Sequence, residues 1–306
     1  MAGINAEPFH QDPAGYLIKA IRDYTLTSPG NRLSAFAGEA IFEEPLVGFA
    51  DGDDPLFERY KTIIGDYHLT PREVLVCGQP DGPGEAITPD RVSVISLVMP
   101  IAYQTRLSLR RESLVPSQRW NHTRWQGEAF IEELSRHVVS LLAEAGYRAV
   151  APALASCYEV KERPTNLAAN WSHRHAAYAA GLGTFSLNDA LITPRGIAMR
   201  CGSVVTDAPL PPSPRTYPDH LANCLFYRDG SCRNCIERCP VGAISERGHD
   251  KPKCRAYISH GQKEILKQLG REEGYLGRYP ACGLCQTKVP CEARIPSGTA
   301  AKPRTP

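Results

Sequence analysis

The chain has 306 residues, of which 42% are hydrophobic and 22% are charged, as expected for a globular protein with a substantial core. Its formal net charge is +2, so charge balance gives no general argument for binding to nucleic acid or to anionic lipid. No apolar run approaches the length of a membrane-spanning helix. The N-terminal residues lack the apolar segment of a secretion signal. We therefore expect a cytosolic protein with one large and one smaller domain.

Hydrophobic periodicity predicts alternating helices and strands over the first two thirds of the chain. It predicts a helix over 13–24, a strand over 91–100, a helix over 126–145, and further strands over 148–154 and 201–207. The run over 91–100 is continuous and β-branched, so we expect this strand to be covered on both faces. Strand, long helix and strand form a βαβ pattern, which is typical of an α/β fold.

A proline-rich stretch predicts where the first domain ends. Residues 209–218 read PLPPSPRTYP, which is typical of a joint between domains. We therefore expect an α/β domain over 1–215 and a second domain of short helices and loops over 216–295. Residues 296–306 are rich in proline and small or polar residues and are predicted to form a disordered tail.

The second domain contains eight of the eleven cysteines, in a pattern typical of two [4Fe–4S] clusters. Cys232, Cys235 and Cys239 are followed by Pro240. In that spacing the first two thiolates bind one cluster, and the cysteine before the proline binds the other. By this logic the first set comprises Cys224, Cys232, Cys235 and Cys291. The second set comprises Cys239, Cys254, Cys282 and Cys285.

Two other interpretations of these cysteines remain open. A single structural zinc could use the two Cys-x-x-Cys pairs, 232/235 and 282/285, but it would leave Cys239, Cys254 and Cys291 unexplained. Disulfides fit less well, because the number of cysteines is odd and no secretion signal is seen. The three cysteines outside the two sets are expected to be small buried hydrophobic residues. They are Cys77, Cys157 and Cys201.

Three further motifs carry a resemblance to a known family. AGLG (180–183), LIT-x-x-G (191–196) and GS-x-x-TD (202–207), followed by the cysteines, resemble the epoxyqueuosine reductase family, which is related to the reductive dehalogenases. The resemblance is strongest over 170–291, and it is closest to a branch with the signature W-S-x-R-H (171–175 here). It implies a nitroreductase-like α/β domain that binds base-off cobalamin, followed by a ferredoxin-like domain with two [4Fe–4S] clusters.

The same resemblance implies an activity and partners. It implies a two-electron reduction of a small organic substrate, with electrons supplied by a donor such as ferredoxin or flavodoxin. The family has a catalytic Asp upstream of AGLG, where this chain has Asn166 and Leu167. The helical-repeat extension of many tRNA-acting members does not follow Cys291. We therefore expect a small-molecule substrate, and we expect neither tRNA nor a membrane as a partner.

The segment 171–175 contains the first candidate site residues. His173 and His175 are candidate proton donors, because imidazole titrates near neutral pH. Trp171 and Arg174 are candidate cofactor contacts. In the alternative interpretation the segment is a helix N-terminus capped by Ser172, with solvated side chains. We expect the segment to lie at the mouth of a pocket on the side of the first set.

Two glycines and two tyrosines complete the candidate site. Gly181 and Gly183 would let a flat cofactor approach the backbone, or would end a helix. Tyr158 and Tyr178 are candidate proton donors, although most tyrosines are half-buried packing residues. Two functions remain open: a corrinoid-dependent iron–sulfur reductase, or an electron-transfer or reductive-activation protein that docks a partner enzyme and binds no corrinoid.

Overall fold

The computed structural model describes residues 6–78, 90–163 and 166–297. Its α-helices are α1 (Ala6–Gln11), α2 (Pro13–Thr27), α3 (Pro55–Ile63), α4 (Pro71–Cys77), α5 (Tyr103–Arg110), α6 (Gln118–Glu144), α7 (His173–Ala179), α8 (Leu225–Asp229), α9 (Asn234–Glu237), α10 (Lys251–Ala256) and α11 (Gln262–Gln268). Its strands are β1 (Arg32–Leu33), β2 (Glu39–Ala40), β3 (Leu46–Asp51), β4 (Ser93–Pro100), β5 (Ala149–Val150), β6 (Val160–Arg163), β7 (Asn166–Ala169), β8 (Thr184–Phe185), β9 (Leu191–Ile192), β10 (Met199–Thr206), β11 (Ile244–Ser245) and β12 (Gly248–His249). None of the described helices combines the length and hydrophobicity needed to cross a membrane.

A four-stranded sheet forms the centre of the molecule, in the order β3-β4-β10-β5. Each neighbouring pair is antiparallel. The βαβ pattern predicted from the sequence places β4 and β5 in one sheet and in the same direction, but β10 lies between them. The mixed helix-and-sheet class is confirmed.

Helices cover both faces of this sheet. All eight residues of β4 are buried, which confirms the expectation drawn from its β-branched run. One core joins the sheet to α2 and α6 and includes Leu17, Ile95 and Phe130. A second core on the other face joins the sheet to α3, α4 and α7. The sheet is therefore the middle of three layers.

Helix α6 begins eight residues earlier than its apolar stripe predicts. Ser117 caps its N-terminus by accepting a hydrogen bond from the Trp120 N–H. The first turns contain buried polar residues, whose partners lie far along the chain. Asn121 donates to the carbonyls of Leu276 and Pro280. Hydrophobic periodicity misses these turns because they face the backbone of the cysteine-rich segment rather than an apolar core.

Strand β5 is shorter than predicted, because Pro152 begins a turn of 3-10 helix two residues after it. A proline fixes its own φ and has no N–H to donate, so it ends a strand readily. The predicted boundary between domains at 215/216 stays a prediction. Ser213 and Phe49 exchange two hydrogen bonds across this region.

The cysteine-rich segment is joined to the sheet by its backbone. The N–H groups of Ile197 and Ala198 donate to the carbonyls of Cys291 and Glu292, at 2.8 and 3.1 Å. Gly196, the last residue of the LIT-x-x-G motif, has a φ of +85°, and a Cβ there would lie 2.3 Å from the Glu292 carbonyl oxygen. A glycine is therefore required at this position. Most of the predicted tail, from 298 onward, lies outside the described residues.

Candidate functional site

The four cysteines of the first set surround one cavity. The cavity has a volume of about 30 Å³, and its other walls come mainly from the loop before β9 and the segment after Cys285. Burial raises the pKa of the Cys235 thiol to about 12, and Cys224 and Cys232 raise it further. Burial also raises the pKa of Cys291, and the thiols of Cys224, Cys235 and Cys232 raise it further. The first set therefore gathers around a common space.

The second set gathers in the same way beside the first. Burial raises the pKa of Cys254 to about 12, with further contributions from Cys282 and Cys239. Burial raises the pKa of Cys285 well above its ordinary value, and Cys282, Cys254, Cys235 and Cys239 raise it further. Cys235 belongs to the first set, so the two sets adjoin. The structure thus brings together the cysteines of each predicted set, and their role as cluster ligands stays a prediction.

This arrangement suits clusters better than one zinc ion. No group of three Cys, His, Asp or Glu side chains in the described ranges is close enough to hold a single metal ion. The thiolates of a [4Fe–4S] cluster each bind a different iron, so they stand farther apart than the ligands of one ion. The four cysteines that the zinc alternative requires are also divided between the two sets.

Polar groups around the second set fit a sulfur-rich cofactor. The Ala243 N–H donates to Cys239 Sγ at 3.2 Å. Burial raises the pKa of the Cys282 thiol, while a hydrogen bond from the fully buried Gln262 side chain acts in the opposite direction. Donors to cluster sulfurs are among the groups that set a cluster's potential.

Ion-paired side chains cluster where α6 meets β10, and their position is called the polar cleft below. Glu128 accepts hydrogen bonds from Arg200 and from Arg124, the latter at 2.9 Å. The side chains of Glu128 and Arg200 are 41% and 25% exposed, yet desolvation is the largest influence on both pKa values. Burial would raise the pKa of the Glu128 carboxyl, but the charges of Arg200 and Arg124 outweigh it and hold the pKa below its usual range.

His173 belongs to this cleft. Its Nδ1 lies 2.8 Å from Ser203 Oγ, and Ser203 Oγ also accepts a hydrogen bond from Trp171 Nε1 at 2.8 Å. Because the indole donates to that oxygen, the serine hydroxyl is free to donate to Nδ1, which favours a proton on Nε2 of His173. Burial lowers the pKa of His173 to about 4, although the charge of Glu128 acts in the opposite direction. His173 is therefore neutral at neutral pH.

The other aromatic residues of the 171–175 segment are packed into the protein. Trp171 is 3% exposed and stacks on Phe57 and His68. His175 packs against Tyr60 and bonds to Ser172, and burial lowers its pKa to about 3. As in the alternative interpretation of the segment, Ser172 caps α7. Catalytic or cofactor roles for Trp171 and His175 stay predictions that no described contact supports.

The two glycines are needed for packing. Gly181 has a φ of +72°, and a Cβ there would lie 2.4 Å from the carbonyl oxygen of Pro214. At Gly183 a Cβ would lie 2.4 Å from the carbonyl oxygen of Ile192. The space beside both is therefore filled by the chain itself, and their role in cofactor binding stays a prediction.

The two candidate tyrosines lie in different surroundings. The pKa of Tyr158 is raised, mainly by burial and further by the charge of Glu128, which places it near the cleft. Tyr178 lies under the Arg215 guanidinium, 5.8 Å from the ring centroid. The position of the family's catalytic acid is not testable here, because the side chains at 166 and 167 lie outside the described part.

The 171–175 segment is joined to the loop before β9. Arg174 donates to the carbonyl oxygen of Asp189. The Asp189 carboxylate pairs with His249 and Lys251, at 3.3 and 3.6 Å. Lys251 begins α10, which carries Cys254 of the second set, and the neighbouring Asn188 lines the first set's cavity. The expectation that the segment lies at the mouth of a pocket on the side of the first set therefore stays a prediction.

Cys77 and Cys157 form a disulfide, so the expectation of two free buried thiols is wrong. The two residues are 80 apart in sequence, and nothing in their spacing indicates that they meet. Cys201 is free, and burial raises its pKa to about 12.

Sequence reasoning missed Glu128, Arg200 and Ser203. Glu128 follows Arg124 by four residues, so the pair resembles an ordinary surface ion pair of a helix. Arg200 could have been recognised from the sequence more readily than Glu128, because a charged residue within an otherwise buried strand requires a partner.

No family model matches the chain. A segment of 121 residues is 31% identical to epoxyqueuosine reductase from Bacillus anthracis, and it covers 39% of this chain and 29% of that protein. The chain therefore resembles the epoxyqueuosine reductases. The chain spans less than a third of the length of the curated relatives that it matches.

Solved structures support the same fold. The catabolic reductive dehalogenase NpRdhA in complex with 3-bromo-4-hydroxybenzoic acid superposes with a TM-score of 0.51 at 16% identity, over 92% of this chain and 36% of that one. An epoxyqueuosine reductase with an epoxyqueuosine-modified tRNA-Tyr stem loop has a TM-score of 0.45 at 16% identity, over 94% of this chain and 66% of that one. The expectation that tRNA is not a partner stays a prediction.

Proposed function

We propose that this chain is an iron–sulfur oxidoreductase that binds two [4Fe–4S] clusters and a corrinoid and reduces a small organic substrate. One observation carries the proposal: eight cysteines gather into two adjoining groups of four. The similarity to epoxyqueuosine reductases and the dehalogenase-like fold support it. Electrons would come from a donor such as ferredoxin or flavodoxin, and a cytosolic location remains part of the proposal.

The residues present fit two clusters. The first set would hold one around its cavity, and the second set would hold the other beside Ala243 and Gln262. Cys235 and Cys285 lie close enough for the charge of one to shift the pKa of the other, so electrons would cross a short distance between the sets. Burial of these thiols keeps water from the sulfurs.

Arginine side chains at the polar cleft could donate hydrogen bonds to a cofactor with amide substituents. The buried Nε of Arg200 has no hydrogen-bond partner among the described residues, and Arg174 is exposed nearby. Both guanidinium groups would donate to carbonyl oxygens of a corrinoid and orient it. When bound, a corrinoid supplies a cobalt centre that can pass two electrons to an organic substrate.

Tyr158 and His173 are the residues best placed to supply a proton. The raised pKa of Tyr158 keeps its proton at Oη throughout the neutral range. His173 favours a proton on Nε2, while Glu128 beside it remains ionised. The carboxylate would stabilise positive charge that develops on the imidazole, so it would favour reprotonation of the site after each turnover.

Reconstitution with hydroxocobalamin tests the corrinoid. After anaerobic gel filtration, the visible spectrum of the protein fraction should show retained corrin, and chemical analysis should give about eight iron and eight sulfide per chain. Arg200→Gln should keep the iron and lose corrin. Arg136→Gln, at an exposed position on α6, is the matched control.

The two parts of the proposal can fail separately. Full iron content with no retained corrin would favour the alternative of an electron-transfer protein that docks a partner enzyme, to which the cysteine geometry applies equally. Tightly bound zinc with little sulfide would overturn both.

A further inference from the structure

An open groove lies on the surface beside the first set. It has a volume of about 680 Å³, and its lining residues are Arg110, Asn234, Lys288, Val289, Pro290, Glu292, Ala293 and Arg294. None of these has a role in the proposed chemistry. Three of the eight are cationic and one is acidic.

One layer of chain separates the groove from the first set's cavity. Val289 and Pro290 line both the groove and the first set's cavity. Asn234 lines the groove and directly precedes Cys235, which lines the cavity. A molecule seated in the groove would therefore stand one residue's thickness from the first set.

The groove presents uncompensated positive charge. Its one carboxylate, on Glu292, is 4% exposed and accepts hydrogen bonds from Arg110 Nε at 2.9 Å and from the Lys288 N–H at 2.7 Å. The side chains of Lys288 and Arg294 are exposed, and neither has an ion-pair partner in the described part of the chain. The anion is thus buried and neutralised, while two cations face solvent.

The first set lies between the groove and the second set. Its cavity shares Val289 and Pro290 with the groove, and Cys235 of this set is close enough to Cys285 of the second set to influence the pKa of that thiol. An electron that enters at the groove would therefore reach the first set before the second.

We propose that this groove is the docking surface for an acidic one-electron carrier protein, such as a flavodoxin, which rests on the proposed function. In each encounter the reduced carrier loses one electron, and the cluster of the first set gains it. Two encounters supply the two electrons of the substrate reduction. Positive charge at the groove attracts the acidic surface around the carrier's cofactor and speeds encounter.

The first test measures binding without electron transfer. Oxidised, acidic flavodoxin is titrated into the cluster-loaded chain in a calorimeter at low and at high salt. Lys288→Glu combined with Arg294→Glu should weaken binding by at least about tenfold at low salt and remove most of the salt dependence, because steering by surface charge changes association by about 10–1,000-fold. The matched control reverses two exposed lysines of α11, Lys263→Glu with Lys267→Glu, and should bind as the wild-type chain does.

The second test measures reduction. Reduced flavodoxin should bleach the visible absorbance of the groove variant at least about tenfold more slowly than that of the control, in line with the loss of steering. Dithionite needs no docking surface and should bleach both at one rate, which also verifies folding and cluster content. Wild-type binding that is weak and independent of salt, or equal rates for both variants with flavodoxin, would overturn the docking site alone. Wild-type chain without iron would overturn the proposed function as well.

Nucleic acid is the competing occupant of a basic groove. A tRNA anticodon stem loop is therefore titrated in parallel. Loss of RNA binding in the groove variant, with unchanged binding of flavodoxin, would assign the surface to RNA and overturn the proposal.

Discussion

Gly283 lies within the Cys282-x-x-Cys285 step of the second set and faces α6. A Cβ at this position would lie 1.9 Å from Trp120 Cζ2 and 2.5 Å from its Nε1. The φ of Gly283 is −162°, which any residue adopts, so the cost of Gly283→Ala comes from overlap and not from the backbone. Trp120 is 5% exposed and packs in the main core, so its ring has little room to retreat.

The loop with Cys282 and Cys285 must therefore move when Gly283 becomes alanine. Overpacking of this kind costs about 1–3 kcal/mol of unfolding free energy. A displaced loop misplaces two of the four thiolates of the second set, while the first set stays in place. We expect iron to fall from about eight to about four per chain, since each cluster contains four.

Denaturant unfolding and anaerobic iron analysis measure both effects. Trp120→Phe removes the atoms that the new methyl group would meet, so adding it to Gly283→Ala should recover most of the iron beyond what the single changes predict by addition. Wild-type stability and full iron in Gly283→Ala would refute the packing argument. Loss of iron that Trp120→Phe leaves unchanged would locate the cause elsewhere.

Three other predictions test the cluster sets, the cleft and the buried histidines. Cys235→Ser and Cys285→Ser should each lose about half of the iron by chemical analysis, and loss of all iron from either would contradict two separable sets. Glu128→Gln leaves a buried guanidinium without its carboxylate and should cost about 1 kcal/mol in denaturant unfolding, a value reduced for partial exposure; an unchanged midpoint would contradict the pairing. The pKa values of His173 and His175 are about 4 and 3 when folded, against 6.5 unfolded. Between pH 6.5 and 4 the unfolded chain binds more protons, so the melting temperature should fall as pH falls through this window, and less steeply in His173→Gln.

Local patterns in the sequence were sufficient for part of this structure. The spacing of Cys232, Cys235 and Cys239 divides the cysteines into two sets because a short turn determines where each thiolate points. The β-branched run of β4 indicates burial on both faces for an equally local reason. The pairing of Glu128 with Arg200 and the bond between Cys77 and Cys157 were not predictable, since each joins residues about 70–80 positions apart that meet only after the sheet has formed.

The central place of β10 also constrains how the chain folds during synthesis. Its partners in β4 are 99 to 113 residues earlier, as Met199 faces Pro100 and Thr206 faces Ser93. Until β10 leaves the ribosome, one edge of β4, a largely apolar strand, stays unpaired, which favours chaperone binding and aggregation. Residues 291 and 292 then add their carbonyls to the segment that enters β10. The pairing of β10 with β4 and the placement of Cys291 are therefore late and coupled steps in folding. A shortage of iron during synthesis should then reduce the yield of folded chain as well as its cofactor content.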